Sequence, residues 1–326
     1  MLLALGASAL TVSLASLAQQ RPTKIALIGF LGTEFASNEA RHIEAMRTGL
    51  RELGYTEGNN IAIEFRWAEG NVDRLPKLAA ELVSLDVAVI VTYGTPGVVA
   101  AKQATQTIPI VMVTAGDPVS TGIVASLARP GGNITGSTSI TRDLNAKRLE
   151  LLKEAAPHIT RVAVLVNPDN PARVPDLHDE LQPLVITAGA LQVELHQFRS
   201  RRPNEFNTVF AEMAKARIDG LMVIQDAMLN ANPRPIAGLA AMQRLPSVGF
   251  EEFAEGGGLI GYGSDFQEMY RHAAHFIDKI LKGAKPGELP IEQPTKFKLI
   301  LNAKTAKALG LKIPQSLLLR ADELIQ

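Results

Sequence analysis

The sequence predicts an α/β protein made of two doubly wound parallel-sheet lobes, which the chain joins by three crossings. The chain has 326 residues, which is more than one hydrophobic core usually supports. Apolar runs typical of buried strands alternate with segments of helical spacing, a pattern that indicates parallel sheets. A stretch rich in glycine and proline, Ala128 to Gly136, interrupts this alternation before it starts again. The interruption predicts the first crossing between the lobes.

The first lobe is predicted from four strand-like runs. They read KIALIGF, NIAIEFRW, VAVIVTYG and IPIVMVTAG. After the first run, Ile43, Met46 and Leu50 recur at spacings of three and four, which one face of a helix requires. The segments after the other runs have similar spacing, so helices are expected there too, including one from Val119 to Leu127.

The second lobe repeats the pattern with RVAVLVNP, LQVELHQF, DGLMVIQDA and LPSVGF. The run GGGLIGYGS predicts a second crossing, after which a helix is expected to return to the first lobe. The run PTKFKLILN predicts a last strand after a third crossing. The expected boundaries are 21–135 with about 264–292 for lobe 1, and 136–262 with about 293–326 for lobe 2.

The first twenty residues, MLLALGASALTVSLASLAQQ, are apolar and uncharged. They end in a small-x-small pattern at Ala18, which is typical of an export signal cleaved nearby, and this interpretation is favoured over a retained anchor. The sequence contains no cysteine, which excludes disulfides, thiolate metal sites, a cysteine nucleophile and a lipid-bearing cysteine. A freely diffusing periplasmic protein is expected.

The charge balance gives no indication of a nucleic-acid or membrane partner. Lys plus Arg and Asp plus Glu each number 33, so no net field favours nucleic acid or an anionic membrane. The protein is therefore not expected to bind either of them.

Partial matches to motifs of catalysis and cofactor binding each lack a feature that the motif requires. Gly256, Gly258 and Gly261 fit G-x-G-x-x-G but precede a strand, whereas a dinucleotide motif follows one. The run GGNITGS has Ser137 where a phosphate loop needs lysine, and neither G-x-S-x-G nor H-E-x-x-H occurs. Neither catalysis nor a cofactor is expected.

Histidines and acids leave two further alternatives open. His272, His275 and Asp278 share a helix face and could hold a metal, although a solvated polar face is favoured. No histidine falls on a predicted cleft loop. Asp117 and Asp226 could form an acid and base pair across the cleft, although a binding role is favoured for both.

Two facing parallel sheets place the loops after their strands in a common cleft, where ligands bind. Asp117, between Gly116 and Pro118, is interpreted as a cap of the following helix, as the receptor of a ligand ammonium group, or as both, since one oxygen can serve each role. Asp226, opposite it, is the other candidate for the ammonium group. For Thr95 the same choice stands between a helix cap and contact with an anion at a helix N-terminus. The cleft is also expected to be partly aromatic, with Phe30, Tyr93 or Phe250 packing on a ligand side chain.

Long segments of the sequence resemble the solute-binding proteins of ABC importers in the tryptophan- and phenylalanine-binding group, which have a type I periplasmic-binding fold. The matching segments include GTPGVVAAKQATQTIPIVMV, GDPVSTGIVASLARPGGNITG and ILKGAKPGELPIEQPTKFKLILNAKTAKALGLKIPQSLLLRADELI. They follow one another through nearly the whole chain. The resemblance implies binding for transport, with no catalysis and no cofactor.

The resemblance also implies ligand contacts on the loops that follow particular strands. In this sequence those loops contain Gly94, Thr95, Ala115, Asp117, Gln225, Asp226 and Phe250. Ser137 and Thr138 lie at the first crossing, where their hydroxyls could join them. The expected protein is a monomeric periplasmic receptor that closes on an amino acid or a related aromatic or branched compound and serves an ABC permease in the inner membrane. A sensory receptor of the same fold is the alternative.

Overall fold

The computed structural model describes residues 25–138, 142–170 and 182–326, with only the backbone described at residues 142 and 143. The predicted export signal and its cleavage near Ala18 lie outside the described residues. Within the described part of the chain, no helix combines the length and the apolar character needed to cross a membrane.

Five parallel strands form the sheet of lobe 1. They are β1 (Ala26–Gly32), β2 (Ile61–Trp67), β3 (Val89–Thr92), β4 (Ile110–Met112) and β5 (Ile134–Gly136). Their order in the sheet is β2-β1-β3-β4-β5. Helices follow the first three strands: α1 (Ala36–Glu52), α2 (Leu75–Ser84) and α3 (Thr95–Ala104). Each strand therefore ends at the same edge of the sheet, where the cleft loops begin.

Seven strands form the sheet of lobe 2: β6 (Arg161–Val166), β7 (Glu194–Arg199), β8 (Gly220–Val223), β9 (Ser247–Gly249), β10 (Ile260–Ser264), β11 (Phe297–Asn302) and β12 (Glu323–Ile325). Their order is β12-β11-β10-β9-β8-β6-β7. The helices up to β10 are α4 (Arg142–Ala155), α5 (Gln182–Ala190), α6 (Phe206–Lys215), α7 (Ala227–Asn230), α8 (Pro233–Met242) and α9 (Glu251–Glu255). The predicted α/β class with two parallel-sheet lobes is confirmed.

The chain passes between the lobes three times. The first passage follows β5, and the second is at Asp265, between β10 and helix α10 (Phe266–Leu281). The third passage follows a bridge between Ser137 and Glu292 and leads into β11. Beyond β11 the chain forms α11 (Ala303–Leu309) and α12 (Gln315–Leu318).

Helix α10 packs against α1 and closes the core of lobe 1. Side chains of α10, among them Tyr270 and Phe276, share one buried cluster with Ile28 and Phe30 of β1. The two helices meet at Gly49, where a Cβ atom would lie 2.4 Å from the carbonyl oxygen of Arg271. Such a distance is far inside van der Waals contact, so only glycine allows the helices to approach this closely.

Two elements differ from the sequence prediction. Strand β11 runs antiparallel to β10, because the chain leaves β10 at the cleft and also returns there, so it must enter the next strand in the opposite direction. The helix expected from Val119 to Leu127 is absent, and this described segment forms turns and bends. Gly122 within it has a φ of 68°, which is incompatible with a right-handed helix.

Candidate ligand-binding cleft

A cavity of about 830 Å³ lies between the carboxyl ends of the two sheets, within the size range of small-molecule sites. Lobe 1 lines it with residues that follow β1, β3 and β4, and lobe 2 with residues that follow β6, β8 and β9. Of the predicted site residues, the cavity is lined by Tyr93, Gly94, Thr95, Ala115, Asp117, Thr138, Gln225 and Asp226. The structure thus brings eight predicted residues from both lobes around one space.

The wall formed by lobe 1 contains the N-terminus of α3. Gly94 precedes the helix with a φ of 72° and its N–H donates to the carbonyl oxygen of Thr114 at 2.8 Å. The hydroxyl of Thr95 accepts a hydrogen bond from the N–H of Gly116 at 3.2 Å. The first N–H groups of a helix have no partner within it and carry its positive dipole end, so this wall suits an anionic group.

A second contact holds the loop after β4 in place. The hydroxyl of Thr138 lies 2.8 Å from the carbonyl oxygen of Gly116 and 3.1 Å from that of Ala115, and donates to them. The loop is therefore fixed on one side by Thr95 and on the other by Thr138. Thr138 lines the cavity, but this contact makes its hydroxyl a support of the loop as well as a candidate ligand contact.

Asp117 and Asp226 are both used as caps of the backbone. One carboxylate oxygen of Asp117 accepts the N–H groups of Val119 at 3.0 Å and Ser120 at 3.1 Å. Asp226 caps α7 by accepting the N–H groups of Met228 and Leu229. Its two oxygens also lie 3.2 and 3.3 Å from the amide nitrogen of Asn167. Asp117 thus caps a turn, whereas the sequence predicts a cap of a helix that the structure does not form here.

Gln225 is held from within lobe 2 by Arg148, whose side chain is 0% exposed. The guanidinium donates to the carbonyl oxygen of Tyr262 at 2.7 Å, to the side-chain oxygen of Asn145 at 3.1 Å and to that of Gln225 at 3.4 Å. Burial lowers the pKa of Arg148 to about 10, which leaves it a cation at neutral pH. The arginine therefore fixes the carboxamide of Gln225 at the cavity wall.

Three of the predicted site residues do not line the cavity. Phe30 is 0% exposed and packs among the rings of Phe65, Trp67, Tyr93 and Tyr270. Phe250 is 1% exposed and packs on Phe253 in the core of lobe 2. Ser137 lies on the first crossing, where its N–H donates to the carbonyl oxygen of Met112. Phe30 lies inside β1, whereas Phe250 and Ser137 directly follow β9 and β5; the fold uses the side chain or the backbone of each.

A cluster of acids, tyrosines and one histidine, which the sequence reasoning missed, forms another wall. We call the side chains of Glu34, Glu39, His42, Tyr93, Tyr270 and Glu252 the acid cluster; all of them line the cavity. The hydroxyl of Tyr270 donates to Glu39 at 2.7 Å, and Nδ1 of His42 lies 3.3 Å from the same oxygen. The ring of His42 stacks on that of Tyr270 at a centroid distance of 5.0 Å.

The cluster was missed because most of it lies on helices. His42 lines the cavity from the second turn of α1, whereas ligand contacts were expected on the loops that follow the strands. Glu34 does fall on the predicted loop after β1, so its position was foreseen and its role was not. Apolar spacing predicts the core face of α1. A polar residue at the edge of that face, such as His42, is the sequence signal that could have indicated a position lining the cavity.

The two lobes touch at the edge of the cavity through charged side chains of α1 and α9. Nε2 of His42 lies 3.4 Å from Oε1 of Glu252, and Arg41 forms an ion pair with Glu255. Both pairs join lobe 1 to lobe 2.

Burial changes the proton affinity of the acid cluster. It raises the pKa of Glu34 well above its usual value, and the charges of Glu39 and Glu252 add to the effect. Burial likewise raises the pKa of Glu252 to about 7, with His42 opposing and Glu251 reinforcing the shift. Burial would lower the pKa of His42, but its hydrogen bond to Glu39 and the nearby carboxylates outweigh this and raise it. The cluster thus holds more protons than the same groups hold in water.

These shifts predict that the ligand-free protein loses stability as the pH rises. Between pH 4.5 and about 7 the folded state keeps a proton on Glu252 that the unfolded chain releases, so the free energy of unfolding falls through this window. The raised pKa of His42 continues the loss above its usual value of 6.5. For Glu252 alone the change is on the order of 3 kcal/mol. Urea unfolding at pH 5, 6, 7 and 8 measures it.

The matched variant is Glu252→Gln, which carries no titrating group at this position. It is expected to flatten the pH profile, and a wild-type stability that is level or rises from pH 5 to 8 would contradict the prediction.

The metal hypothesis for His272, His275 and Asp278 finds no support in the geometry. His272 pairs with Glu292 at 2.7 Å, and Asp278 accepts a hydrogen bond from Tyr55 and pairs with Lys282. Within residues 25–138, 142–170 and 182–326, no group of three or more metal-ligating side chains could hold an ion.

A ligand-sized cleft that is lined by both of two α/β lobes is typical of two-lobed solute receptors. The sequence profile described as ABC transporter substrate binding protein matches residues 33–325. The chain belongs to this family, and the resemblance stated from the sequence is confirmed at that level. The family consists of substrate-binding proteins and not of enzymes.

Individual relatives agree with this assignment. A tyrosine-binding protein of Clostridioides difficile (strain R20291) is 28% identical over 268 residues, which cover 81% of this chain and 74% of the relative. Among solved structures, an ABC domain in complex with L-Trp from Streptococcus pneumonia has a TM-score of 0.84 at 23% identity, covering 93% of this chain and 100% of the other. The ligand-free, open structure of a substrate-binding protein with adhesive properties from Clostridium difficile has a TM-score of 0.66, with the same identity and coverage.

Proposed function

We propose that this protein binds an aromatic amino acid by closure of its two lobes and delivers it to an ABC permease. The observation that carries the proposal is the enclosed cavity of about 830 Å³ between the lobes. It offers one wall suited to a carboxylate, one rich in acids, and aromatic rings beside them. A zwitterion with an aromatic side chain matches all three.

The carboxylate is assigned to the N-terminus of α3, with Thr95 beside it, because backbone N–H groups and the helix dipole favour an anion there. Tyr93, together with Phe266 and Tyr270, lines the cavity and supplies ring surface for an aromatic side chain. The eight predicted residues that line the cavity remain the proposed ligand contacts. The names of the relatives, which refer to tyrosine and L-Trp, support the same ligand class.

Closure is supported by the contacts between α1 and α9 and by the comparison of shapes. At equal identity, the chain superposes better on the L-Trp complex, with a TM-score of 0.84, than on the ligand-free open structure, with 0.66. A ligand that touches both lobes stabilises the closed state, because only that state offers all its contacts.

Aromatic amino acids are expected to stabilise the protein against heat. At a hundredfold excess over the dissociation constant, a ligand that binds only the folded state adds about 2.7 kcal/mol to its stability. A thermal shift panel of L-tryptophan, L-tyrosine, L-phenylalanine, small aliphatic amino acids, sugars and nucleosides measures this. Small-angle scattering with the best ligand is expected to show a smaller radius of gyration.

The controls in this panel are compounds that lack one of the three features of the ligand. A sugar or nucleoside that shifts the melting temperature more than every amino acid would contradict the ligand class, and an unchanged radius of gyration at saturation would contradict closure.

The setting proposed for this function is the periplasm, where a monomer released from its signal near Ala18 serves a permease. The apolar, uncharged sequence of residues 1–20 supports this. Mass spectrometry of the protein from a periplasmic extract tests the cleavage, and an unprocessed precursor in the cytoplasm would instead favour the sensory alternative.

A further inference from the structure

The acids first considered for a ligand ammonium group are committed to the backbone. Asp117 caps a turn through two N–H groups, and Asp226 caps α7 and lies against the amide of Asn167. A carboxylate offers about four acceptor sites; the cap takes two of them at Asp117, and the cap and Asn167 together take most of them at Asp226. The acid cluster offers carboxylates with fewer partners.

Two of its carboxylates are short of positive partners. Glu34 is 7% exposed; its side chain has a hydrogen bond with Asn38, and within the described residues it forms no ion pair. Oε1 of Glu252 faces His42 at 3.4 Å, while its Oε2 is buried and has no hydrogen-bond partner among the described residues. Glu39, by contrast, receives both Tyr270 and His42. Two arginines also act on Glu252 through their charges, but Arg41 pairs with Glu255 and Arg148 donates its hydrogen bonds within lobe 2.

An independent feature of the same cavity points to a polar ligand. Thr114 is 6% exposed and lines the cavity, and its hydroxyl oxygen has no hydrogen-bond partner in the described part of the chain. A buried polar atom without a partner costs about 1 to 3 kcal/mol. A ligand group that hydrogen-bonds to the hydroxyl of Thr114 therefore removes a free-energy cost of the closed, ligand-free cleft.

We infer that Glu34 and Glu252 together form the subsite that receives the ammonium group of the ligand, with the rings of Tyr93 and Tyr270 beside it. The inference rests on the proposed function and deepens it, since it assigns the cationic end of the zwitterion to a pair of acids that neither the caps nor the fold require. Glu34 comes from lobe 1 and Glu252 from lobe 2, so one cation contacts both lobes.

This arrangement links the charge of the ligand to closure. In the closed form each of the two carboxylates raises the pKa of its neighbours, so without a cation the cluster holds protons in its place. The charged or titratable groups around it are Glu39, Arg41 and His42 of α1, Arg148 of α4, Glu251 of α9, Tyr93 after β3 and Tyr270 of α10. An ammonium group replaces those protons and favours the closed state, which a neutral or anionic analogue does not do.

The experiment compares L-tryptophan with indole-3-propionate, which lacks the ammonium group, by calorimetry on the full protein. Wild type is expected to prefer L-tryptophan. Glu34→Gln and Glu252→Gln are each expected to reduce that preference by roughly 10- to 100-fold, the value of one charge-assisted hydrogen bond. Glu44→Gln, on the exposed face of α1, is the control for loss of one negative charge and is expected to keep the wild-type preference.

A second readout is the number of protons that the protein releases when the ligand binds, measured by calorimetry. In buffers of different ionisation enthalpy near pH 7, binding of L-tryptophan to wild type is expected to release protons, and the release is expected to shrink in both glutamine variants. Unfolding of the ligand-free variants shows whether they fold, which is expected because glutamine removes a buried like charge at equal size.

The outcomes separate this inference from the proposed function. If wild type binds L-tryptophan and the preference survives in both variants, or disappears in Asp117→Asn instead, the inference is wrong and the proposed function stands. If wild type binds no aromatic amino acid, the proposed function is wrong. The subsite is then tested with tryptamine and tyramine: binding that Glu34→Gln weakens about tenfold supports it, and no binding of either amine overturns it.

Discussion

Replacing Arg148 with alanine is expected to lower the free energy of unfolding by roughly 3 to 5 kcal/mol. The side chain is fully buried, and its guanidinium donates to Tyr262, Asn145 and Gln225. Truncation leaves these acceptors without their donor, and each buried acceptor without a partner costs about 1 to 3 kcal/mol. It also leaves a cavity in the core of lobe 2, which adds to the loss.

The matched control is Lys147→Ala, one residue earlier on the same helix. The side chain of Lys147 is 42% exposed and pairs with Glu150, so its loss is expected to change stability by no more than about 0.5 kcal/mol. Arg148→Met keeps most of the apolar volume and isolates the hydrogen bonds. Urea unfolding measures all three variants, and an Arg148→Ala protein within about 1 kcal/mol of wild type would show that the acceptors find other partners.

Gly136→Ala is expected to destabilise lobe 1 by roughly 3 kcal/mol or more. Gly136 ends β5 with a φ of 129°, which side chains of L-residues rarely adopt. A Cβ atom there would lie 2.0 Å from the carbonyl oxygen of Met112 in the neighbouring strand. Backbone cannot move aside as a flexible side chain can, so the pairing of β4 with β5 must break or shift.

Gly132→Ala separates backbone conformation from steric contact. Gly132 has a φ of 66° and no atom within 4 Å of an added Cβ, so the expected loss is about 1 to 2 kcal/mol for the left-handed conformation alone. Thermal and urea unfolding of both variants test the difference. Equal losses would mean that the contact with Met112 contributes nothing.

The fold followed from local patterns because each βα unit carries its own signal. Buried parallel strands give apolar runs, and helices that cover them give spacings of three and four, so the two lobes and the returning helix α10 could be predicted. The direction of β11 could not, since an apolar run has the same appearance in either direction and only the path of the chain across the cleft decides it. The turns after Asp117 likewise depend on Gly122 rather than on apolar spacing.

The site was predictable at the level of loops and not of side-chain directions. Tyr93 and Phe30 lie on the same face of the sheet of lobe 1 and share one cluster, yet Tyr93 lines the cavity while Phe30 packs in the core. Their positions along the strands decide this, because Phe30 lies inside β1 and Tyr93 follows the end of β3, and a single sequence does not fix where each strand ends. The approach of Glu252 to His42 depends on how the lobes stand relative to one another, a distance between residues some 200 positions apart in the chain.

The packing of α10 on α1 has a consequence for the order in which the molecule can be completed. A nascent or translocating chain that has emerged only as far as residue 262 contains the whole five-stranded sheet of lobe 1 but not α10, the helix that meets Gly49. The sheet of lobe 2 is equally unfinished, because β11 and β12 come later still. Domains generally fold as units, the N-terminal one first. In this chain neither lobe can be completed before the C-terminal segment is available. Both are completed by the same C-terminal segment, from residue 266 onward.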